Sequence, residues 1–553
     1  MGSYDYDLGR YGRPVTTHKP EAQTWFDRGL NWTYAYNHEE AVRCFEHAAR
    51  VDPACAMAQW GIAYAAGPNY NMPWHLFDRK GRARALATAH AATRRALALV
   101  DGVSPVEAAL IQALPTRYPQ AELIDDMMPW MHAHTDAMRK VYARFPDDPD
   151  VATAFAEAIM NLTPWQMWDL QTGEPAEGAL TREAQAILER AFKVPAAWDH
   201  PGLLHLYVHL MEMSPHPEKA LRQGDRLRDL VPDAGHLIHM PTHIDVLCGN
   251  YRDVVVDNLR AVAVDAKYAA QAGALNIYTG YRIHNYHFAI YGAMFLGQFQ
   301  PAIAAAEGLI SELPEEVLRL ESPPMGDFTE GYIGMKQHVL IRFGKWQQII
   351  DQDLPEDSAL YSATTALMLY AKGVAHSALG NIAEAEAARD AYHAARDRVS
   401  DRRRVHNNTV PDLLGIATEM LDGELAYRRG DHQVGYDHLR CAVAAEDALP
   451  YDEPWGWMQP SRHALGALLL EQGHVDEAEA AFRQDLGLDP TIRRACQHPG
   501  NIWALRGLHD CLEARGETVE IRHIRQQLDR AAARADVPVK ASCFCAQAAM
   551  TAA

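Results

Sequence analysis

The chemistry most visible in this sequence is that of imidazole. His205, His209, His236, His239, His243, His284, His287 and His338 lie close together in a chain of 553 residues that holds 27 histidines. Neutral imidazole is the commonest protein ligand for metal ions and suits zinc, copper, iron and nickel. Two imidazoles three or four positions apart share one face of a helix, where they can share an ion. His205/His209 and His239/His243 have the i,i+4 spacing and His284/His287 the i,i+3 spacing. Glu212, three residues after His209, adds a carboxylate able to act as a general base beside such an ion. A single buried histidine is usually a hydrogen-bonded core residue. The set as a whole favours a metal site or a histidine-lined catalytic pocket.

Whether these side chains meet depends on the elements that carry them. A helical hairpin repeat of about 34 residues places an aromatic near position 4, Gly at 8, Ala at 20, Phe at 24, Ala at 27 and Pro at 32. A unit begun at Ala22 has Trp25, Gly29, Ala41, Phe45, Ala48 and Pro53 at those places. A unit begun at Gln459 has Gly466, Ala478, Phe482 and Pro490. In the middle of the chain the tight turn inside each hairpin is marked by Gly249-Asn250-Tyr251, Gly297-Gln298-Phe299 and Gly344-Lys345-Trp346, and counting back starts units at Gly235, Ile283 and Glu330. Glu218-Lys219-Ala220 starts one at Pro201, 34 residues before Gly235. The pattern predicts an all-α fold, a tetratricopeptide-like α-solenoid of stacked helical hairpins with a concave groove.

In such an array the first helix of each hairpin lines the groove at unit positions 2, 5, 9 and 12. His205, His209 and Glu212 take positions 5, 9 and 12 of one unit; His236, His239 and His243 take 2, 5 and 9 of the next. His284 and His287 are 2 and 5 of the third, and His338 is 9 of the fourth. At this composition those places would hold about one histidine by chance. They hold all eight.

Residues 1–21 read as an N-terminal arm, 22–536 as one continuous helical array, and 537–553 as a tail that follows a last helix running to about Asp536 and broken by Val537-Pro538. The tail carries Cys543-Phe544-Cys545. The spacing is too short for a strain-free disulfide in most contexts, whereas two thiolates so placed chelate soft or borderline ions; equally, the segment reads as a frayed terminus. The other cysteines are scattered without a disulfide framework, and Met1-Gly2-Ser3-Tyr4 has neither the charge nor the apolar run of a signal peptide, so the expected compartment is the cytoplasm. A net charge of −20 speaks against nucleic acid or an anionic membrane as the main partner, and no stretch approaches a membrane span.

Two Pro-punctuated aromatic segments, Gly67 to Trp74 and Thr163 to Trp168, are longer than a hairpin turn requires and are suited to capping a pocket or stapling hairpins together. Arg402-Arg403-Arg404 reads as a solvated loop or helix end. The sequence has no Gly-x-Ser-x-Gly, no phosphate-cradling glycine loop and no His-Glu-x-x-His, so any catalysis falls to the groove histidines.

The segments Asn37-His38-Glu39-Glu40-Ala41, Gly67-Pro68-Asn69-Tyr70-Asn71, Ser214-Pro215-His216-Pro217-Glu218, His239-Met240-Pro241-Thr242-His243, His284-Asn285-Tyr286-His287-Phe288 and His498-Pro499-Gly500-Asn501 resemble a widespread group of bacterial tetratricopeptide-repeat proteins. The resemblance covers almost the whole chain, the Ser-Cys-Phe-Cys tail included. It implies the fold and carries over no reaction and no catalytic residue.

Two function classes follow. The first is a metal-dependent enzyme acting on a small molecule in the groove. Its ion, copper or iron by preference and zinc as the alternative, is drawn from His205, His209, His239, His243, His284, His287 and His338, with Cys543 and Cys545 as further ligands. Redox chemistry is slightly favoured; zinc with Glu212 as general base gives hydrolysis. The second is a scaffold whose groove binds a peptide or a partner protein without catalysis.

Overall fold

The computed structural model describes residues 4–273, 276 and 278–546. Residues 1–3 of the expected arm and 547–553 of the expected tail lie outside the described residues. The fold is all-α, of the tetratricopeptide-like α-solenoid class, built from successive helical hairpins. Among the described residues the named strands are one two-stranded antiparallel ladder, Arg404–Val405 with Asn408–Thr409. Among the same residues no helix is long and apolar enough to cross a membrane.

The chain divides into two compact units. The first comprises Met1–Ile244 and Ala263–Tyr268. Its hairpins pair Pro20–Tyr34 with His38–Val51, Ala56–Ala66 with Arg79–Ala98, Pro105–Arg117 with Met128–Arg144, and Pro149–Met160 with Thr181–Ala191. Local chemistry sets the starts. Ser104 and Glu107 form a reciprocal capping box, and Asp148 accepts from the Val151 amide at 3.0 Å just before Pro149 at the first helical position. Both devices satisfy amides that the helix itself leaves without acceptors. The repeat signature has a steric basis: a Cβ on Gly29 would stand 2.7 Å from the Phe45 ring, and one on Gly61 2.5 Å from it. Every residue of Pro201–Glu212 is buried, as expected for a helix surrounded on all sides.

The second unit comprises Asp245–Val262 and Ala269–Ala553. Its hairpins include Tyr278–Phe295 with Phe299–Ser311, Ser362–Ala378 with Ile382–Arg396, Val410–Arg428 with His432–Asp447, and Ser461–Glu471 with Val475–Asp485. Gly466 and Gly507 both approach the Phe482 ring, the counterpart of the Phe45 contact. Gly249, Gly297 and Gly344 adopt φ of 80°, 71° and 61°, the left-handed conformation that suits glycine and ends the first helix of each hairpin.

Three starts of the predicted units coincide with element starts at Pro201, Gly235 and Glu330; the helix of the Ile283 unit begins earlier, at Tyr278. Three expectations are corrected. Pro241 divides the hairpin's first helix into Gly235–His239 and Pro241–Cys248, because it lacks the amide that would continue the ladder. The last helix is Glu520–Ala532 and stops short of Asp536, whose carboxylate instead accepts from the Phe299 and Gln300 amides at 2.6 and 2.8 Å. Arg403 is not a solvated loop residue: it donates to the Leu360 carbonyl at 3.0 Å and lies 3.8 Å from the buried Glu330 carboxylate.

Candidate metal centre

In the first unit His205, His209, His236, His239 and His243 are each 2% exposed or less, as is Glu212. Pro201–Glu212 carries His205 and His209 one turn apart, with ring centroids 4.8 Å apart. Gly235–His239 brings His236 across, its Nε2 3.2 Å from Nε2 of His205. One nitrogen from each of His205, His209 and His236 lies within 4.8 Å of the other two, a spacing that can hold an ion.

The oxygens around these rings fix their tautomers. Glu212 Oε1 stands 2.9 Å from His209 Nδ1, and its Oε2 2.7 Å from His243 Nδ1. The Tyr34 carbonyl stands 2.7 Å from His205 Nδ1. A carboxylate or carbonyl only accepts, so all three rings donate from Nδ1 and carry their lone pair on Nε2. His239 Nε2, 2.7 Å from His243 Nε2, is then the donor of that pair. Burial drives the His205 pKa well below the usual imidazole value, and the neighbouring His209 adds to the effect. The neutral, ligand-competent form is the stable one.

Aromatic residues wall the cluster. Tyr36 stacks over His209 at 6.0 Å and 18° and over His236 at 5.5 Å and 27°, and lies 4.5 Å from His205. It does so from a turn at φ 55°, where a bulky side chain costs on the order of 1–3 kcal/mol. Tyr70, from the Gly67 to Trp74 segment, lies 4.7 Å from His209, and its hydroxyl accepts from the Trp165 amide at 3.1 Å. Trp168 donates to the Leu210 carbonyl at 2.6 Å. A cavity of about 10 Å³, room for about one water, lies against His205 between Tyr34, Tyr36, Thr153 and Glu157. Burial raises the Glu157 pKa to about 8. Tyr36 was missed from the sequence, although a signal exists. Hairpin turns elsewhere place glycine before the polar residue, as in Gly249-Asn250 and Gly380-Asn381, and here the pair is Tyr36-Asn37.

The remaining sequence candidates lie in the second unit. His287 Nε2 is 2.9 Å from the Met458 sulfur, and its ring meets Tyr332 edge-on. His338 packs edge-on against Trp457 at 4.7 Å. Burial lowers their pKa values to about 3 and about 4. His284 lies 5.0 Å from Phe288 and 5.7 Å from His406. Cys543 and Cys545 are joined as a disulfide, a state in which neither sulfur is a thiolate.

The second unit also holds a polar network that the groove stripe does not include. Asp485 accepts from His463 Nε2 at 2.8 Å, from His498 Nδ1 at 2.7 Å and from Asn501 Nδ2 at 2.8 Å. The Arg342 guanidinium donates to His463 Nδ1, and the Tyr291 hydroxyl to His498 Nε2 at 2.9 Å. Every nitrogen of both imidazoles is engaged. Burial brings the His463 pKa to about 4. For Asp485, burial alone would raise the pKa, but the two imidazoles outweigh it and hold the carboxyl far below its usual range.

No family model and no curated protein matches the sequence. Among solved structures, Naa15/Naa10 bound to HypK-THB has 12% identity and a TM-score of 0.21, covering 92% of this chain and 70% of that one. The Cut9–Hcn1 hetero-tetramer has 13% identity and a TM-score of 0.23, covering 92% and 96%. Yeast Tom70 has 11% identity and a TM-score of 0.25, covering 93% and 95%. Superpositions this loose carry no argument about function.

Proposed function

We propose that this chain is an α-solenoid protein that holds one transition-metal ion on His205, His209 and His236 of its first unit. The observation that carries the reading is the tautomer pattern. Metal-binding histidines almost always give their other ring N–H to a carboxylate or a carbonyl, and for two of the three ligands Glu212 takes it from His209 and the Tyr34 carbonyl from His205. The spacing agrees: ligands at about 2.0–2.1 Å around a tetrahedral ion stand about 3.3 Å apart, against 3.2 Å for His205 and His236. Glu212 then serves as a positioning carboxylate, and the cavity beside His205 has room for about one water. A three-imidazole ion with one open place suits the metal-dependent enzyme reading, oxidative with copper or iron and hydrolytic with zinc.

Metal content per chain, measured by plasma mass spectrometry on tag-free protein, tests this. About one equivalent is expected in the parent and none in His205→Ala/His236→Ala, with helicity retained. Equal metal in both proteins, or no uptake by the parent on reconstitution with copper, iron or zinc, overturns it.

The stacked-hairpin fold supports a second reading, a scaffold for a partner protein in which the buried histidines brace the interior. Under it the double variant keeps its partners and loses only stability.

A further inference from the structure

The segment Ser542 to Cys545 is built into the second unit. Ser542 donates from Oγ to the His463 carbonyl at 3.1 Å, and its own carbonyl accepts from Arg342 at 3.2 Å. The Cys545 carbonyl accepts from Arg428. Phe544 occupies the space over Gly344, where a Cβ would stand 2.7 Å from its ring, and meets Trp503 at 6.0 Å. The segment thus has a defined seat between two arginines and the His463 backbone.

Its two sulfurs are not equivalent. Cys545 is buried, 4% exposed, whereas Cys543 is partly exposed. The Cys545 amide lies 3.2 Å from Cys543 Sγ, placed to stabilise charge on that sulfur. An accessible sulfur with a backbone donor, paired with a sheltered one, is the arrangement of an attacking and a resolving thiol.

We propose that Cys543 and Cys545 form a redox-active dithiol–disulfide site that exchanges two electrons with a small thiol or a protein dithiol. In the reductive direction a thiolate of the donor attacks Cys543 Sγ, the Cys543–Cys545 bond breaks, and Cys545 leaves as a thiolate that takes up a proton. The second thiol of a dithiol donor, or a second molecule of a small thiol, then attacks the donor sulfur of the mixed disulfide and releases Cys543. The donor ends as a disulfide and the protein as two thiols, so two electrons and two protons pass to the protein. The oxidative direction reverses these steps, with Cys543 as the nucleophile.

Peptide mass mapping of the full-length protein tests the proposal. Protein isolated without reductant and alkylated before digestion is expected to give a 543–545 peptide that is unalkylated and two hydrogens lighter than the dithiol, converted to doubly alkylated peptide by native treatment with dithiothreitol and restored by glutathione disulfide. The exposed Cys441 is the internal benchmark. In Cys545→Ser, Cys543 is expected to react with 4,4′-dithiodipyridine about 10-fold faster than Cys441; in Cys543→Ser, Cys545 reacts more slowly than Cys441. Two thiols that stay open in glutathione disulfide, a bond that survives dithiothreitol in the folded protein, or a Cys543 no faster than Cys441 would each overturn it. None of these outcomes depends on metal content, so failure here is distinguishable from failure of the metal reading.

Discussion

Each unit of this protein buries one carboxylate between two imidazoles, and the two arrangements are opposite. In the first unit Glu212 takes Nδ1 of His209 and Nδ1 of His243, so both rings carry their lone pair on Nε2; His243 accepts there from His239, and His209 stands with His205 and His236 in a group whose nitrogens come within 4.8 Å of one another. In the second, Asp485 takes Nε2 of His463 and Nδ1 of His498, and Arg342 and Tyr291 engage the opposite nitrogens. The first arrangement sets imidazole against imidazole; the second ties every imidazole nitrogen to a carboxylate, a guanidinium or a hydroxyl. Composition alone does not separate a ligand histidine from a structural one. The tautomer imposed by its neighbours does.

The largest effect is expected where the network is closed. Asp485→Ala would remove a carboxylate whose charge favours the buried Arg342 guanidinium and would leave two imidazole N–H groups without acceptors. Removing one partner from a buried ionic network costs about 3–5 kcal/mol. Urea unfolding followed by circular dichroism should show a loss of that order. A change below about 1 kcal/mol, the scale of an exposed pair, would mean that the network does not hold the second unit together, and the contrast would collapse.

Next in size is Glu212→Gln. An amide has one accepting oxygen and one donating nitrogen, so it can hold His209 or His243 in the Nδ1–H tautomer but not both. Loss of such an outer partner typically weakens metal binding 10–100-fold, to be read by competition with a chelator of known affinity while helicity stays at the parental level. A general base, as the spacing from His209 first suggested for Glu212, would leave affinity unchanged and alter only turnover. An unchanged dissociation constant would remove the tautomer argument from the first unit.

The sequence is most legible where one residue type has one physical job. Gly249, Gly297 and Gly344 were readable as hairpin turns because left-handed backbone strongly favours glycine, and Gly29 with Phe45 was readable as a close approach because a Cβ does not fit there. The pairing of His205 with His209 followed from helical spacing. Other features depend on contacts between distant segments that no local pattern encodes. The His205 tautomer is set by a carbonyl 171 positions away. Tyr36 sits over the imidazoles at a turn where its backbone conformation disfavours it. His463 and His498 lie outside the stripe and are joined by Asp485, whose spacing carries no motif. Pro241 was visible in the sequence, but the helix division it imposes was not read from the repeat period, which treats that hairpin like its neighbours.

The smallest effect at neutral pH is expected at His338, which tests whether the second unit's stripe histidines are core residues or ligands. Its ring packs on Trp457 and its Nδ1 is buried without a hydrogen-bond partner, so a leucine of similar volume should change stability at pH 7 by less than about 1.5 kcal/mol. The sign of its pH dependence follows from the pKa, lowered by burial from 6.5 to about 4. Between those values the unfolded chain takes up a proton that the folded chain refuses, so this histidine's contribution is present above pH 6.5 and is lost as pH falls toward 4. His338→Leu should therefore gain on the parent as pH drops through that window, by at most about 1.4 kcal/mol per pH unit. Metal content separates the two roles without reference to stability. Metal retained in full, with the acid-resistance gain, makes His338 a neutral core histidine; a loss of bound ion in a variant that remains folded would add a residue of the second unit to the ligand set and break the division between the two carboxylate centres.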